Sequence, residues 1–291
     1  MGAKFGPAGN SESFQAMGYR KTIQVPEYII RMGLDAYEYQ CGRGVRISGE
    51  AARAFGEKAR EHQVTLSLHS PYYISLSGIE EEKRLGSIEY ILQSARAADA
   101  MGAQRVVVHS GSCAKLSRQQ AMELAKDTLT RAYQRLDQEG LGHIHLCPET
   151  MGKLNQLGTL EEVLELCLLD ERLIPCIDFG HLNARTFGAL NSFEGIRQVF
   201  ETMENVLGLD RMRQFHAHFS KIEYTEKGGE KCHLTFADTV YGPQFEPVAE
   251  MIVRKNASPT IICESAGTQA EDAATMKRMY AQALAACGQA E

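Results

Sequence analysis

The stretch Arg105–Ser112, RVVVHSGS, is an apolar β-branched run that stops at a histidine and passes at once into small polar residues. A short Val-rich run closed by Ser and Gly reads as a buried strand, and strands buried on both faces belong to parallel sheets. The same grammar recurs along the chain. LSLHSPYY stops at His69, IHLCPET at Glu149, CIDFGH at Asp178 and His181, HAHFS at His218, and IICES at Glu264. Random placement would scatter such residues over helices and loops. In a parallel α/β protein the place where strands stop is the mouth of the active site, so these side chains are expected to converge there.

Working outward, hydrophobic period and Gly/Pro punctuation give strands near Lys4–Gly6, Ala36–Cys41, Thr65–Ser70, Arg105–Gly111, Ile144–Thr150, Pro175–Gly180, Phe215–Ser220 and Thr260–Ser265. Helical patterns lie between them: a short one at Tyr28–Met32, then Gly49–Gln63 behind a Ser48 cap, Glu80–Met101, Arg118–Glu139, Leu160–Leu168, Phe193–Val206, Phe245–Arg254 and Glu271–Ala286. This alternation, with no low-complexity break, predicts an α/β fold: a (β/α)8 TIM barrel forming a single domain over residues 1–291. The segment Lys221–Pro247 is long for a barrel loop and is expected to cover substrate or bind metal.

Composition narrows the class. Apolar content of 44% and charged content of 23% are ordinary for a globular chain. No apolar run approaches the ~18–20 residues needed to cross a bilayer, so no membrane partner is predicted. The first residues, MGAKFGPAGNSESF, lack the apolar centre of a signal peptide. The eight cysteines are widely spaced without a C-x-x-C pair, which fits reduced thiols in a cytoplasm. The net charge of −6 excludes nucleic-acid binding by bulk electrostatics but leaves room for local positive charge, such as bound divalent cations.

Glu149, Asp178 and Glu264 offer carboxylates, and His69, His109 and His218 offer imidazoles, with His181 across a glycine turn from Asp178. Turn geometry alone is expected to bring Asp178 and His181 to the mouth, without a helix. This donor set suits zinc, with manganese as the alternative, and a multi-metal cluster needs a carboxylate to bridge. His62 reads as solvated, His143 as lying at the far end of the barrel, and His145 and His216 as hydrogen-bonded inside it. No G-x-S-x-G elbow and no G-x-x-x-x-G-K phosphate loop is present.

At these residues the chain resembles the endonuclease IV family of apurinic/apyrimidinic endonucleases. The matching pieces are H-x-x-Y at His69–Tyr72, V-H-x-G-S at Val108–Ser112, E-T at Glu149–Thr150, C-I-D-x-x-H at Cys176–His181 and E-S at Glu264–Ser265. The resemblance implies a TIM barrel with a trinuclear zinc site that cleaves the DNA backbone 5′ to abasic sites, and two or three zinc ions are expected in this chain. His69, His109 and Glu149 would hold one ion, and Glu149, Asp178, His218 and Glu264 a second. His181 and His233 would belong to a third. A metal-bridging hydroxide would attack phosphorus, and the residues expected to act in catalysis are Glu149, Glu264 and, at a position where the chain departs from the family, Lys231. The implied partner is damaged DNA, met by a monomer.

The resemblance breaks at two places. The family's Asp-x-His pair after the seventh strand is here Lys231-Cys232-His233, and Lys4 stands where the family's first strand carries a histidine. Either the Lys231 ammonium takes the third metal's place as a point charge on phosphate, or Glu230 or Cys232 becomes the ligand, or the loop has slid and Lys231 faces solvent. For DNA the candidates are Arg43 after the second strand and Tyr72 and Tyr73 after the third, suited to phosphate pairing and base stacking. Lys115, Lys153, Arg185 and Lys221 add basic groups to that face. A sugar isomerase or epimerase of the xylose-isomerase-like type is the rival, because Glu149, Asp178, His218 and Glu264 around one divalent ion serve it equally.

Overall fold

The structure, a computed structural model, describes residues 2–288. In chain order its elements begin with β1 (Lys4–Pro7), α1 (Glu12–Ala16), α2 (Val25–Arg31), β2 (Ala36–Gln40), α3 (Gly49–Glu61) and β3 (Thr65–His69). Next come α4 (Glu81–Met101), β4 (Arg105–His109), α5 (Arg118–Gln138), β5 (His145–Glu149), α6 (Leu160–Cys167), β6 (Cys176–Asp178) and α7 (Phe179–Arg185). The chain continues through α8 (Phe193–Leu207), α9 (Leu209–Met212), β7 (His216–Phe219), β8 (Lys221–Thr225), β9 (Gly229–Leu234), α10 (Glu246–Arg254), β10 (Thr260–Cys263) and α11 (Gln269–Gly288).

Eight parallel strands run in the order β1-β10-β7-β6-β5-β4-β3-β2, a nearly closed TIM barrel. Between β1 and β2 the ladder gives way to a single bridge, Ala8 to Glu38. Closure there needs Gly6, because a Cβ at that position would lie 1.8 Å from the Ala36 carbonyl oxygen. The helices start where the sequence supplies caps: Ser48 accepts from Ala51, while Ser117 with Gln120 and Thr159 with Glu162 close capping boxes. Apolar side chains fill the layer between strands and helices, and Val107, Cys147 and Cys176 form a small cluster of their own.

Two expectations about elements are corrected. Lys221–Pro247 is not a plain loop, since β8 and β9 pair as an antiparallel hairpin. It docks over the mouth through Glu230 N to Gly152 O (3.2 Å) and Leu154 N to Gly228 O (3.2 Å). Asp178 and His181 do sit on a helix terminus: Asp178 is the N-cap of α7, its carboxylate accepting from the His181 N–H at 2.7 Å. A capping carboxylate satisfies an otherwise orphaned donor and fixes both side chains together. Gly180 lets α7 pack this close, for a Cβ there would meet the Ser220 carbonyl oxygen at 2.4 Å. No helix among the described residues is long and apolar enough to cross a membrane.

Candidate metal centre

Parallel register sets two pairs of strand-end residues side by side. His109 pairs with Glu149 across β4 and β5, and Asp178 pairs with His218 across β6 and β7. Glu149 itself pairs with Cys176 and His69 with Val107, so the ligating atoms come from neighbouring rungs of the ladder and converge at the mouth with Glu264. Glu149 is at the centre, 1% exposed. Its Oε2 lies 3.3 Å from both His69 Nε2 and His109 Nε2. Its Oε1 lies 3.0 Å from His218 Nδ1 and 3.5 Å from His181 Nδ1. Glu149, Asp178, His218 and Glu264 each offer an atom within 4.8 Å of one another.

A third group stands beside these. His181, Glu230 and His233 likewise offer atoms within 4.8 Å of one another, with His181 Nε2 3.5 Å from Glu230 Oε2. Hydrogen bonds set which ring nitrogen each histidine presents. His69 Nδ1 donates to Ser70 O (2.8 Å) and His181 Nδ1 to Thr150 O (2.9 Å), so each turns Nε2 to a carboxylate, His69 to Glu149 Oε2 at 3.3 Å and His181 to Glu230 Oε2 at 3.5 Å. His233 Nδ1 is 2.8 Å from Ser220 Oγ. Backbone partners of this kind orient metal-binding imidazoles.

These residues fit divalent cations. Ligands about 2.1 Å from a shared ion at tetrahedral angles stand about 3.4 Å apart, close to the spacings seen here. The Asp178 Oδ2 atom is buried and accepts no hydrogen bond, its one ionic contact among the described residues being His181 Nδ1 at 3.3 Å, which leaves it room to take a cation. Burial opposes ionisation of Glu149, but the surrounding imidazoles, His218 foremost, hold it well below the usual carboxylate range. Burial pushes Asp178 up, His181 opposing and Glu264 and Glu149 reinforcing the rise. Adjacent acids with opposed shifts and imidazoles between them are the electrostatics of a cation site.

The structure brings His69, His109, Glu149, Asp178, His181, His218, His233 and Glu264 together, lining or underlying a mouth cavity of about 380 Å³. It does not bring Lys231 in. The hairpin carries a register shift at Glu223/Tyr224, where Tyr224 faces Glu230 and Glu223 faces Cys232, so Lys231 is the extra, bulged residue. A bulge inverts side-chain parity, which turns Glu230 and His233 to the site together and sends Lys231 outward. The Lys231 ammonium is half-exposed and pairs with Glu223 at 2.6 Å, which overturns its expected place on phosphate. Cys232 is also exposed and contacts Glu223, so Glu230 is the replacement candidate.

At the rim, Tyr72 and Tyr73 are about half exposed with ring centroids 4.6 Å apart, and Arg43 Nε donates to Tyr72 Oη at 2.9 Å. Two other basic residues do not face the mouth as free charges. Arg185 is buried and donates to the carbonyls of Met151, Lys153, Leu154 and Gln156, and Lys221 donates to those of Phe236 and Asp238. His62 is half-buried rather than solvated, with Nδ1 3.0 Å from Lys58 O. His143 pairs with Asp99 at the surface, His145 bonds Arg172 O, and His216 lies in the barrel interior. A larger cavity of about 890 Å³ opens at the other end of the barrel, lined by Lys4, Arg105 and Arg213 among others.

One functional candidate escaped the sequence reading. Glu38, in the middle of β2, is fully buried and touches His216, His218, Ser67 and Gln40. Its signal was present: a glutamate between Tyr37 and Tyr39 inside a strand must be paired to be buried.

A family model described as xylose isomerase-like TIM barrel matches residues 26–284. An uncharacterized protein of Methanocaldococcus jannaschii is 34% identical over 235 residues, covering 81% of this chain and 83% of that one. A probable endonuclease 4 of Methanosphaera stadtmanae is 26% identical over 157 residues, and the match spans about half of each protein (53% and 54%). Among solved structures, endonuclease IV from Thermus thermophilus superposes with a TM-score of 0.67 at 20% identity over 97% of this chain and 98% of its own. A D-tagatose 3-epimerase-like protein superposes equally well, with a TM-score of 0.68 at 21% identity over 90% of this chain and 93% of its own. At such identities the superpositions speak for the fold alone.

Proposed function

The chain belongs to the xylose isomerase-like TIM barrel family, and from that premise we propose that it is a metal-dependent phosphodiesterase of the endonuclease IV kind, acting on DNA at abasic sites. One observation carries the reading. The two oxygens of Glu149 face different imidazole groups, Oε2 towards His69 and His109 and Oε1 towards His218. A carboxylate so placed is built to bridge two cations, which a one-metal isomerase does not need. The neighbouring His181, Glu230 and His233 group offers a third position.

His69, His109 and Glu149 would hold one ion, Glu149, Asp178, His218 and Glu264 the second, and His181, Glu230 and His233 the third. When bound, zinc or manganese ions supply an activated water and offset the charge of the phosphoryl transition state. The chain's own part is to fix that charge in place. Glu149 is locked by its imidazole partners, Asp178 by the α7 N-terminus, and His181 by the Thr150 carbonyl. Tyr72 and Tyr73, in contact at a 50° tilt and exposed at the rim with Arg43 beside them, suit an unstacked base or the gap of a missing one.

A second reading has its own observation. Glu149, Asp178, His218 and Glu264 form a compact four-ligand set that could serve one ion in a sugar epimerase, with the two glutamates as acid and base. Elemental analysis of purified protein, paired with an abasic duplex assay, separates the two. Two or three zinc ions per chain and a nick at the abasic site support the phosphodiesterase. One manganese or magnesium with epimerisation of a ketose, and no nick, overturns it.

A further inference from the structure

Beneath the mouth, inside the barrel, a polar column leads down from His218. Glu38 is 0% exposed and its two oxygens are fully engaged. Oε2 accepts from Ser67 Oγ at 2.9 Å and from His216 Nε2 at 2.9 Å. Oε1 accepts from Gln40 Nε2 at 3.1 Å and lies 3.0 Å from His218 Nε2, an ion-pair contact not aligned as an in-line hydrogen bond. Every neighbour of this carboxylate is a donor. A group that can only accept, ringed by donors, dictates which nitrogen of each imidazole carries its hydrogen.

We infer that Glu38 is a positioning residue: it holds the hydrogen of His218 on Nε2, so that the Nδ1 lone pair is presented to the cation shared with Glu149, Asp178 and Glu264. The other side of the ring faces the site, where Nδ1 makes a hydrogen-bond contact with Glu149. Nδ1 lies 3.0 Å from Glu149 Oε1 and 3.6 Å from Glu264 Oε1. A bare lone pair facing two carboxylate oxygens is repulsive, so that position must hold a positive charge, a proton in the empty protein or a cation in the loaded one. A carboxylate behind the imidazole raises its basicity and fixes its rotation, which is how outer partners tune a ligand. His218 would thus bind through Nδ1, while His69 and His181 bind through Nε2, their Nδ1 atoms already being engaged by carbonyls.

The inference rests on the metal reading given above, and its test separates the two. Glu38→Gln keeps the volume but turns an N–H towards donors. Zinc affinity is measured by chelator competition on the wild type and the variant. Thermal unfolding of both metal-free proteins verifies that the barrel is intact. The expected result is one zinc bound about 10–100-fold more weakly in the variant, with the position served by His181, Glu230 and His233 unchanged. Zinc affinities within two-fold of wild type at every position, whatever the unfolding temperature, overturn the role of Glu38 and leave the multi-metal reading standing. A wild type that takes up no zinc removes both. Should Glu38→Gln not fold, long-range 1H–15N spectra of the zinc-loaded wild type decide the matter. His218 with hydrogen on Nε2 and metal on Nδ1 is expected, and the reverse tautomer overturns the inference.

Discussion

The candidate ligands on barrel strands and those on the hairpin are held by different means. His69, His109, Glu149, Asp178 and His218 stand on strands of one parallel sheet, with Glu264 one residue beyond β10, and the ladder fixes where each one stands. Glu149, Asp178 and His218 have almost no exposure. Glu230 and His233 hang on a two-stranded hairpin tied to the Gly152–Leu154 segment by a few backbone contacts, and His233 has a side chain 28% exposed. The barrel fixes ligands by global closure, whereas the hairpin fixes them by a local bulge. Cations held by the barrel should therefore bind tightly, and the one reached by the hairpin should exchange more readily.

The largest effect should come from Glu149→Gln, which strikes the centre of the barrel group. An amide cannot carry charge to two ions, so both barrel-held cations should be lost and turnover should fall about 10³-fold or more, with the barrel still folded. Glu264→Gln, which touches one position, should cost about 10²-fold. Zinc content and turnover on an abasic duplex are the measurements, and full retention of both in Glu149→Gln would end the bridging role.

Glu230→Gln tests the other side of the comparison. It should remove the hairpin-held cation alone, leaving two per chain, with turnover down about 10–100-fold. Loss of all metal in this variant would mean that hairpin and barrel act as one site, and the contrast drawn above would collapse.

Acidity sharpens the comparison further. In the metal-free protein burial pushes His69 down, but the Glu149 carboxylate outweighs it and the imidazole rises from 6.5 to about 9. A folded-state value above the unfolded one stabilises the fold fully below about pH 6.5, and that contribution is lost as pH climbs through about 9. Zinc needs the neutral imidazole, so its affinity should rise across the same window. Metal-free unfolding temperature and zinc affinity should move in opposite directions between pH 6.5 and 9. If they move in parallel, the His69–Glu149 contact does not control the empty site.

Legibility followed the same division. Strand-end candidates were readable because each apolar run stops at a residue that the parallel sheet delivers to the mouth, as RVVVH does at His109 and IHLCPE at Glu149. The hairpin was opaque, because counting residues from His218 assumes unbroken strand parity, and the bulge at Lys231 breaks it. The α7 helix was missed since PCIDFGH carries a strand and a helix start with no spacer, Asp178 serving both. Glu38 gave no strand-end signal, because it stands in the middle of β2, one layer below the mouth.

At the rim, Tyr72→Ala should weaken binding of an abasic duplex about tenfold while leaving zinc content intact, the loss of one stacking surface. Retained affinity would make the Tyr72–Tyr73 pair an ornament of the rim rather than a contact for DNA. Arg43→Ala should act in the same direction and more weakly, because its guanidinium serves Tyr72 as well as solvent.

The smallest effect is reserved for Lys231, and its smallness is informative. The ammonium is turned away from the cavity and held by Glu223 in a solvent-exposed pair, a kind of contact that contributes little. Lys231→Ala should leave zinc content and turnover within about two-fold of wild type. Lys231→Asp should likewise fail to add a cation, because the bulge points position 231 outward and places the new carboxylate beside Glu223. An increase in bound zinc in Lys231→Asp would show that the hairpin slips by one residue in solution, straightening the bulge and withdrawing Glu230. Unchanged zinc in Lys231→Asp, set beside the lost cation in Glu230→Gln, would establish that the bulge, not the local sequence match, selects the ligand.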